Sequence, residues 1–235
     1  MKCEMKVLGI DMAWGDTMPD AIAEVQIDEN GRVLIGDCHY GHGDEHLRGL
    51  IVVEDALLLA VDAPMICINE QGARPVDLEC SRLFREYEAG CHPVNLKLCT
   101  RPFRVAQMLS AMGYEHNWRL GQRTVMEVYP HPAMVRFFRL EKTIKYKKGR
   151  VAEKRKEFHR YQRLFSAWVE EQWHHAQWSA EFQRVLTQPW SKEVEDRLDA
   201  YLCAFIGLWH LKYNGSRSQV LGDLETGFMV LPVVG

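Results

Sequence analysis

Ala56–Val61 is an unbroken apolar run (ALLLAV) that closes on Asp62-Ala63-Pro64. Six consecutive apolar residues leave no face for water, so the run predicts a central strand covered on both sides. Such a strand needs sheet neighbours and a layer of helices above and below it. Lys6–Met12 (KVLGIDM) has the same form, an apolar run that meets a carboxylate at Asp11. Ala21–Ile27 and Arg32–Cys38 are apolar with polar interruptions, and Asp28-Glu29-Asn30-Gly31 between them carries the Asn-Gly pair of a hairpin turn. The chain is therefore expected to open with three antiparallel strands. Thr124–Val128 predicts a further short strand, and Phe228–Val234 a last strand or packed tail.

Helices are expected over about 44–53, 77–89 and 101–112, and from 133. The stretch 152–186 reads as mostly helical, and a strong last helix runs over about 192–212 with Ser191 as its cap. The order β-β-β-α-β-α-α-β-α-rich-α predicts an α/β fold, a mixed five-stranded sheet flanked by helices. With 235 residues, 47% hydrophobic and 26% charged, the chain suits one domain over 1–235 with an insertion at about 136–190.

Charge is unevenly placed. Residues 136–163 hold 12 Lys/Arg against 3 Glu, a local +9, so the remainder carries −12 within a total of −3. A segment of that sign attracts a phosphate backbone, which makes nucleic acid the expected partner. Lys145, Lys147, Lys148 and Arg150 lie within it, and Tyr146, Trp168 and Trp173 are candidates for stacking on bases. A solvated basic segment with core tryptophans is the competing reading. No apolar stretch approaches the roughly 20 residues that span a bilayer, and no export signal precedes the first strand. Seven scattered cysteines without a C-x-x-C then suggest reduced thiols in a cytoplasmic protein.

The acids carry the chemistry. Asp11 and Asp62 end apolar strands, Glu127 lies near the end of TVMEV, and Asp196 and Asp199 share one face of the last helix. Glu195 with Asp199 is an alternative i, i+4 pair. Converging carboxylates repel unless a cation joins them, and Mg²⁺ or Mn²⁺ takes oxygen ligands of this kind. Taken singly, each acid also suits a turn or a solvated helix face. Arg74, Asp77, Arg82, His92 and Asn95 follow Asp62, and Arg74 and Arg82 are candidates for a phosphate oxygen. Cys38, His39, His42 and His46 are spaced as a possible zinc group, and His131 is a possible base between two prolines. Walker A, G-x-G-x-x-G, G-x-S-x-G and H-E-x-x-H motifs do not occur.

Seven motifs follow one another: V-L-G-I-D-M-A-W, L-A-V-D-A-P, G-A-R-P-V-D, C-H-P-V-N, E-V-Y-P-H-P-A, Y-K-K-G and E-D-R-L-D-A-Y-L-C-A. In that order they resemble domain-of-unknown-function family 429, regarded as predicted nucleases with a ribonuclease H-like fold. The resemblance spans Val7 to the C-terminus. It implies that the first and fourth strands are parallel neighbours, so that Asp11 faces Asp62. Asp199, and next Asp196, would complete a metal site, with Glu127 of E-V-Y-P beside it. No acid is clearly supplied by the first helix; Asp44, Glu45 and Glu54 match only loosely, a departure from ribonuclease H itself. The implied activity is metal-dependent phosphodiester hydrolysis. A phosphotransferase, or a nucleic-acid- or nucleotide-binding protein with little catalysis, is the alternative on the same fold.

Overall fold

The computed structural model describes residues 5–234, and Cys3 lies outside the described residues. The elements in order are β1 (Met5–Asp11), β2 (Asp20–Ile27), β3 (Val33–Gly41), α1 (Asp44–Glu54), β4 (Leu58–Val61), α2 (Pro75–Leu83), α3 (Thr100–Ala111), β5 (Glu115–His116) and β6 (Thr124–Glu127). They continue with α4 (Pro130–Phe137), α5 (Val151–Gln172), β7 (Gln177–Trp178), α6 (Ala180–Thr187), α7 (Lys192–Lys212), β8 (Ser218–Asp223) and β9 (Gly227–Pro232).

The main sheet has the order β5-β6-β4-β1-β2-β3-β7. β1 pairs antiparallel with β2 and parallel with β4, β2 pairs antiparallel with β3, and β4 pairs parallel with β6. Five inner strands in the order 3-2-1-4-6, with only the second reversed, form the expected ribonuclease H-like mixed sheet. Two-residue strands extend it at each edge, giving seven rather than five. Two residues are too short for an alternation signal, and tertiary neighbours alone make these edges strands. The meander turn is built as expected: Asp28 Oδ1 accepts from Asn30 N and Arg32 N, and Gly31 takes φ 79°.

β4 is buried on both faces, as its unbroken hydrophobicity requires. Leu59 and Val61 join Leu8, Ile10 and Val125 under Leu47 and Ile51 of α1 and Val105 and Leu109 of α3. Leu58 and Ala60 join Val7 and Met126 under α7. This second contact is unusually close. A β-carbon on Gly9 would lie 2.1 Å from both the Ala200 carbonyl oxygen and the Ala204 nitrogen. One on Gly207 would lie 2.7 Å from Val7 Cγ1. Residue numbers rise along α7 as they fall along β1, so the helix starts at the strand ends that carry Asp11 and Asp62.

Two local expectations change, and one left open is decided. The helix foreseen over 77–89 is α2: Pro75 takes its first turn, Asp77 accepts from the Arg74 backbone N–H, and the helix stops at Phe84. The last segment, expected as a strand or packed tail, is a strand: β9 forms a hairpin with β8, and Val128–Val230 bridges it to the end of β6. Tyr146, Trp168 and Trp173 are buried, which corrects their reading as base-stacking residues. Trp168 packs 4.2 Å, centroid to centroid, from Phe137, and α5 and α6 close an aromatic cluster around Phe165, Phe182 and Phe205. Rings of this size bury too much apolar area to be left in water when a partner face is at hand. Among the described residues no helix is long and apolar enough to cross a membrane.

Candidate active site

Parallel pairing sets Ile10 opposite Val61, and Asp62 N donates to the Ile10 carbonyl at 2.9 Å. Asp11 and Asp62 are therefore consecutive neighbours on one face of the sheet, the face under α7. The first turns of α7 bring Asp196 and Asp199, both buried, to the same end. Tyr146 Oη donates to Asp199 Oδ1 at 2.7 Å, and Lys147 Nζ lies 2.7 Å from Asp199 Oδ2. That oxygen is fully buried and has no aligned hydrogen bond. Asp196 accepts from Tyr40 Oη at 3.1 Å and from Lys192 Nζ at 2.5 Å. Glu195, the alternative partner of Asp199, is held instead by Trp190 Nε1 at 2.7 Å and Lys192 at 3.1 Å.

Asp11 and Asp62 stand differently, without a hydrogen bond to either carboxylate among the described residues. Burial pushes the Asp62 carboxyl up to about 7, with the Asp199 and Glu127 charges adding and Lys147 opposing. Burial likewise raises Asp11 well above the usual carboxylate range; Lys147 opposes, and Asp199, Asp62 and Asp196 add to it. Burial works against the Lys147 charge, but Asp199, Asp11 and Asp62 outweigh it and hold the ammonium protonated. Four acids thus face one end of the sheet with two ammonium groups among them.

Glu127 lines the same cleft as Asp62 and its charge reaches that acid, but its own carboxylate is held by Arg74. Glu127 is in register with Val61, one residue before Asp62, so the two-residue period of the strand turns it to the opposite face. There it accepts from Arg74 Nη2 at 2.5 Å, Arg74 Nη1 at 2.8 Å and Met65 N at 3.1 Å. Arg74 also donates through Nη2 to Asp77 at 2.8 Å and through Nη1 to the Ile66 carbonyl at 2.9 Å. A guanidinium 1% exposed and engaged on every nitrogen ties the end of β6 to the start of α2. It has no fork left for a phosphate, which corrects its reading as a substrate ligand. Arg82 is exposed at the end of α2, away from the cleft beside Asp62.

Two hollows flank the acids. A narrow cleft is lined by Trp14, Asp62, His92, Val94 and Tyr129 among others. A wider groove is lined by His92, Tyr129, His131, Lys145, Lys147 and Lys148, with Glu88, Glu153 and Glu157 at its rim. His92 and Tyr129 line both, so the two hollows adjoin across these side chains. Lys145 is paired with Glu88, whereas exposed Lys148 has no ion pair among the described residues. His131 is half-buried at the groove wall, its pKa pushed down to about 4 by desolvation and by the Lys147 charge, and it meets Thr143 Oγ1 at 3.3 Å. It is a neutral packing histidine at pH 7.

The zinc grouping of Cys38, His39, His42 and His46 does not form. Cys38 lies in the core, while the three histidines are exposed. Of the loosely matching acids on α1, Asp44 pairs with Arg101 and Arg104, and Glu54 with Lys6. Among the described residues no three His, Cys, Asp or Glu side chains surround one point at metal-binding distance. The donor set still suits a hard cation. Asp199 Oδ2 is a buried oxygen whose near neighbour is the Lys147 ammonium, and among the described residues Asp11 and Asp62 are carboxylates without hydrogen-bond partners. Sequence reasoning passed over Trp14, Tyr40 and Lys192. Trp14 follows Asp11 by three residues and was within reach, but Tyr40 is 156 positions from Asp196 and only folding joins them.

A 3-2-1-4-6 sheet, with acids at the ends of its central parallel strands and on the helix laid across them, defines a ribonuclease H-like protein with an acidic centre. A family described as "Protein of unknown function (DUF429)" matches residues 9–226, and the chain belongs to that family. No curated protein sequence matches the chain. Among solved structures, the yeast mitochondrial Holliday junction resolvase Ydc2 is similar at 11% identity and a TM-score of 0.44, over 85% of this chain and 76% of that one.

Proposed function

We propose that this protein is a metal-dependent nuclease that hydrolyses phosphodiester bonds at the end of β1 and β4. The observation that carries the reading is the pair of acids without hydrogen-bond partners, Asp11 and Asp62, beside a buried Asp199 whose Oδ2 is met by the Lys147 ammonium, a cation already drawn to the place a metal would take. Asp11, Asp62 and Asp199 would hold Mg²⁺ or Mn²⁺. When bound, such an ion supplies counter-charge to the acids and Lewis acidity toward a phosphate oxygen.

The other roles belong to the chain. Tyr146 and Tyr40 fix the carboxylates of Asp199 and Asp196, so the acids keep one geometry as charge arrives. Lys145 and Lys148, on the groove that meets the cleft, draw a phosphate backbone toward the acids. We read 136–190 as an insertion in one ribonuclease H-like unit, whose loop brings Lys145–Lys148 to the site.

The test is cleavage of labelled single-stranded, double-stranded and branched DNA and RNA with Mg²⁺ or Mn²⁺. Metal-dependent cleavage by the wild type, lost in Asp11→Asn and Asp62→Asn with unfolding transitions intact, supports the reading. Absence of cleavage on every substrate with both metals overturns it. Binding without cleavage leaves the second reading, a nucleic-acid-binding protein. The Lys147 ammonium already placed among the acids favours that one.

A further inference from the structure

The loop 12–19 joins Asp11 to β2 and is clamped on both sides of Trp14. Arg101, 1% exposed, donates through Nη1 to the Ala13 carbonyl at 2.6 Å and to Asp20 Oδ1 at 2.8 Å. Its Nη2 donates to Asp20 Oδ2 at 2.6 Å, and its Nε to Asp44 at 2.9 Å. Ala13 N donates to Asp20 Oδ1 at 2.9 Å. Two residues beyond Trp14, Asp16 pairs with Arg104, which also holds Asp44 at 2.6 Å. Burying the Arg101–Asp20 pair is costly and is tolerated because nearly every donor and acceptor is matched.

That rigid frame presents an indole to water. Of the seven tryptophans, Trp14 alone is exposed, at 37%, while the others pack wholly or partly into the protein. Its ring lines the cleft together with Asp62 and His92, within the hollows that lead to Lys148. An exposed aromatic face held by an ordered backbone suits a flat ring that arrives with a phosphate attached. Nucleobases meet that description, and stacking on them is indifferent to sequence because every base has a π-face. A base inside a duplex has both faces covered by its neighbours, so only an unpaired or extruded one can reach the indole.

We propose that Trp14 is the stacking platform for one unpaired nucleobase beside the acidic centre, making nucleic acid with single-stranded character the substrate class. The proposal rests on the nucleic-acid reading above and adds to it. It places the base on Trp14, the adjoining phosphate at Asp11 and Asp62, and the following backbone along Lys145 and Lys148.

Fluorescence anisotropy with Ca²⁺ present as counter-charge for the acids tests it, using labelled (dT)8, an abasic oligomer of equal length and a blunt hairpin duplex. Wild type should bind (dT)8 more tightly than the abasic oligomer or the duplex. Trp14→Ala should weaken (dT)8 binding about 10-fold or more, leave the abasic oligomer unchanged and abolish the preference for single strands. Trp14→Phe should restore most of the affinity, and the indole quenching seen when (dT)8 binds wild type should be lost in it. Equal (dT)8 affinity in wild type and Trp14→Ala overturns stacking and leaves the nucleic-acid reading standing. Wild type that binds none of the three overturns both.

Discussion

Lys147 Nζ lies 2.7 Å from Asp199 Oδ2, and this contact makes a lysine from the loop before α5 the internal counter-charge of the acidic centre. Its ammonium also faces Asp11 and Asp62. A divalent cation entering the same acids must displace it or share them with it. Lys147→Gln removes the charge and leaves a buried carboxylate unpaired, so the metal-free protein should lose about 1–3 kcal/mol of stability, less than a fully buried pair because Lys147 stays partly exposed. Mn²⁺ should then raise the Tm of Lys147→Gln more than that of wild type. Unchanged metal-free stability, or a smaller Mn²⁺ response, would show that Lys147 does not hold this role.

Neutralising the unpartnered acids should separate stability from activity. Asp11→Asn removes a carboxylate that faces three others, so the metal-free protein should unfold at the same or a higher denaturant concentration while cleavage falls at least about 100-fold. A large loss of stability would instead assign Asp11 a role in the fold.

The raised Asp62 carboxyl predicts a pH effect of definite sign. In the folded chain burial holds it at about 7, against about 3.9 in an unfolded chain. The folded state therefore binds the proton more tightly. Stability from this group is complete below about pH 4 and is lost as the pH rises through 7. Without metal, wild type should lose stability relative to Asp62→Asn between pH 4 and 8, by at most about 4 kcal/mol. Urea unfolding of both proteins across that range checks it, and parallel curves would refute it.

Arg74 should prove a residue of the fold. Arg74→Met strands Glu127 and Asp77 in a buried setting and should cost about 3–5 kcal/mol. Adding Glu127→Gln should recover part of that loss, because one of the two orphaned charges is then gone. If Arg74→Met folds with wild-type stability and merely loses substrate affinity, the phosphate-binding reading of Arg74 returns.

Gly9→Ala probes the seat of α7. The added carbon meets backbone atoms of Ala200 and Ala204 at 2.1 Å, and backbone cannot swing aside as a side chain can. The helix must move off β1, carrying Asp199 away from Asp11. A loss of about 3 kcal/mol or more, or insoluble protein, is expected. Gly49, where a β-carbon meets nothing within 4 Å, is the control position, and Gly49→Ala should be near neutral or slightly stabilising.

Much of the frame was legible in the chain. The buried strand Leu58–Val61 announced itself by continuous hydrophobicity, the meander by alternation and Asn30-Gly31, and α7 by length and the Ser191 cap. These signals are local, because period and turn chemistry act between near neighbours. The four acids were also legible: Asp11 and Asp62 each close an apolar strand, where a carboxylate is costly, and Asp196 and Asp199 are three apart on one helix face. Residue types and local periods therefore decided which segments become strands and helices and which charges demand an explanation.

Side chains from distant segments acquired their tasks only when packed. Glu127 and Asp62 read alike in the sequence, but a one-residue offset in register put them on opposite faces and gave Glu127 to Arg74. Tyr146 in the basic segment and Trp168 beyond it read as stacking candidates, with core packing the alternative for the tryptophan; the hydrophobic gain drew both inward and turned Tyr146 onto Asp199. Lys147 and Lys148 are adjacent and identical in type; packing sent one into the acids and left the other on the groove. Charge and hydrophobicity are properties a sequence carries with it, whereas partnership depends on register, helix seating and burial, which exist only in three dimensions.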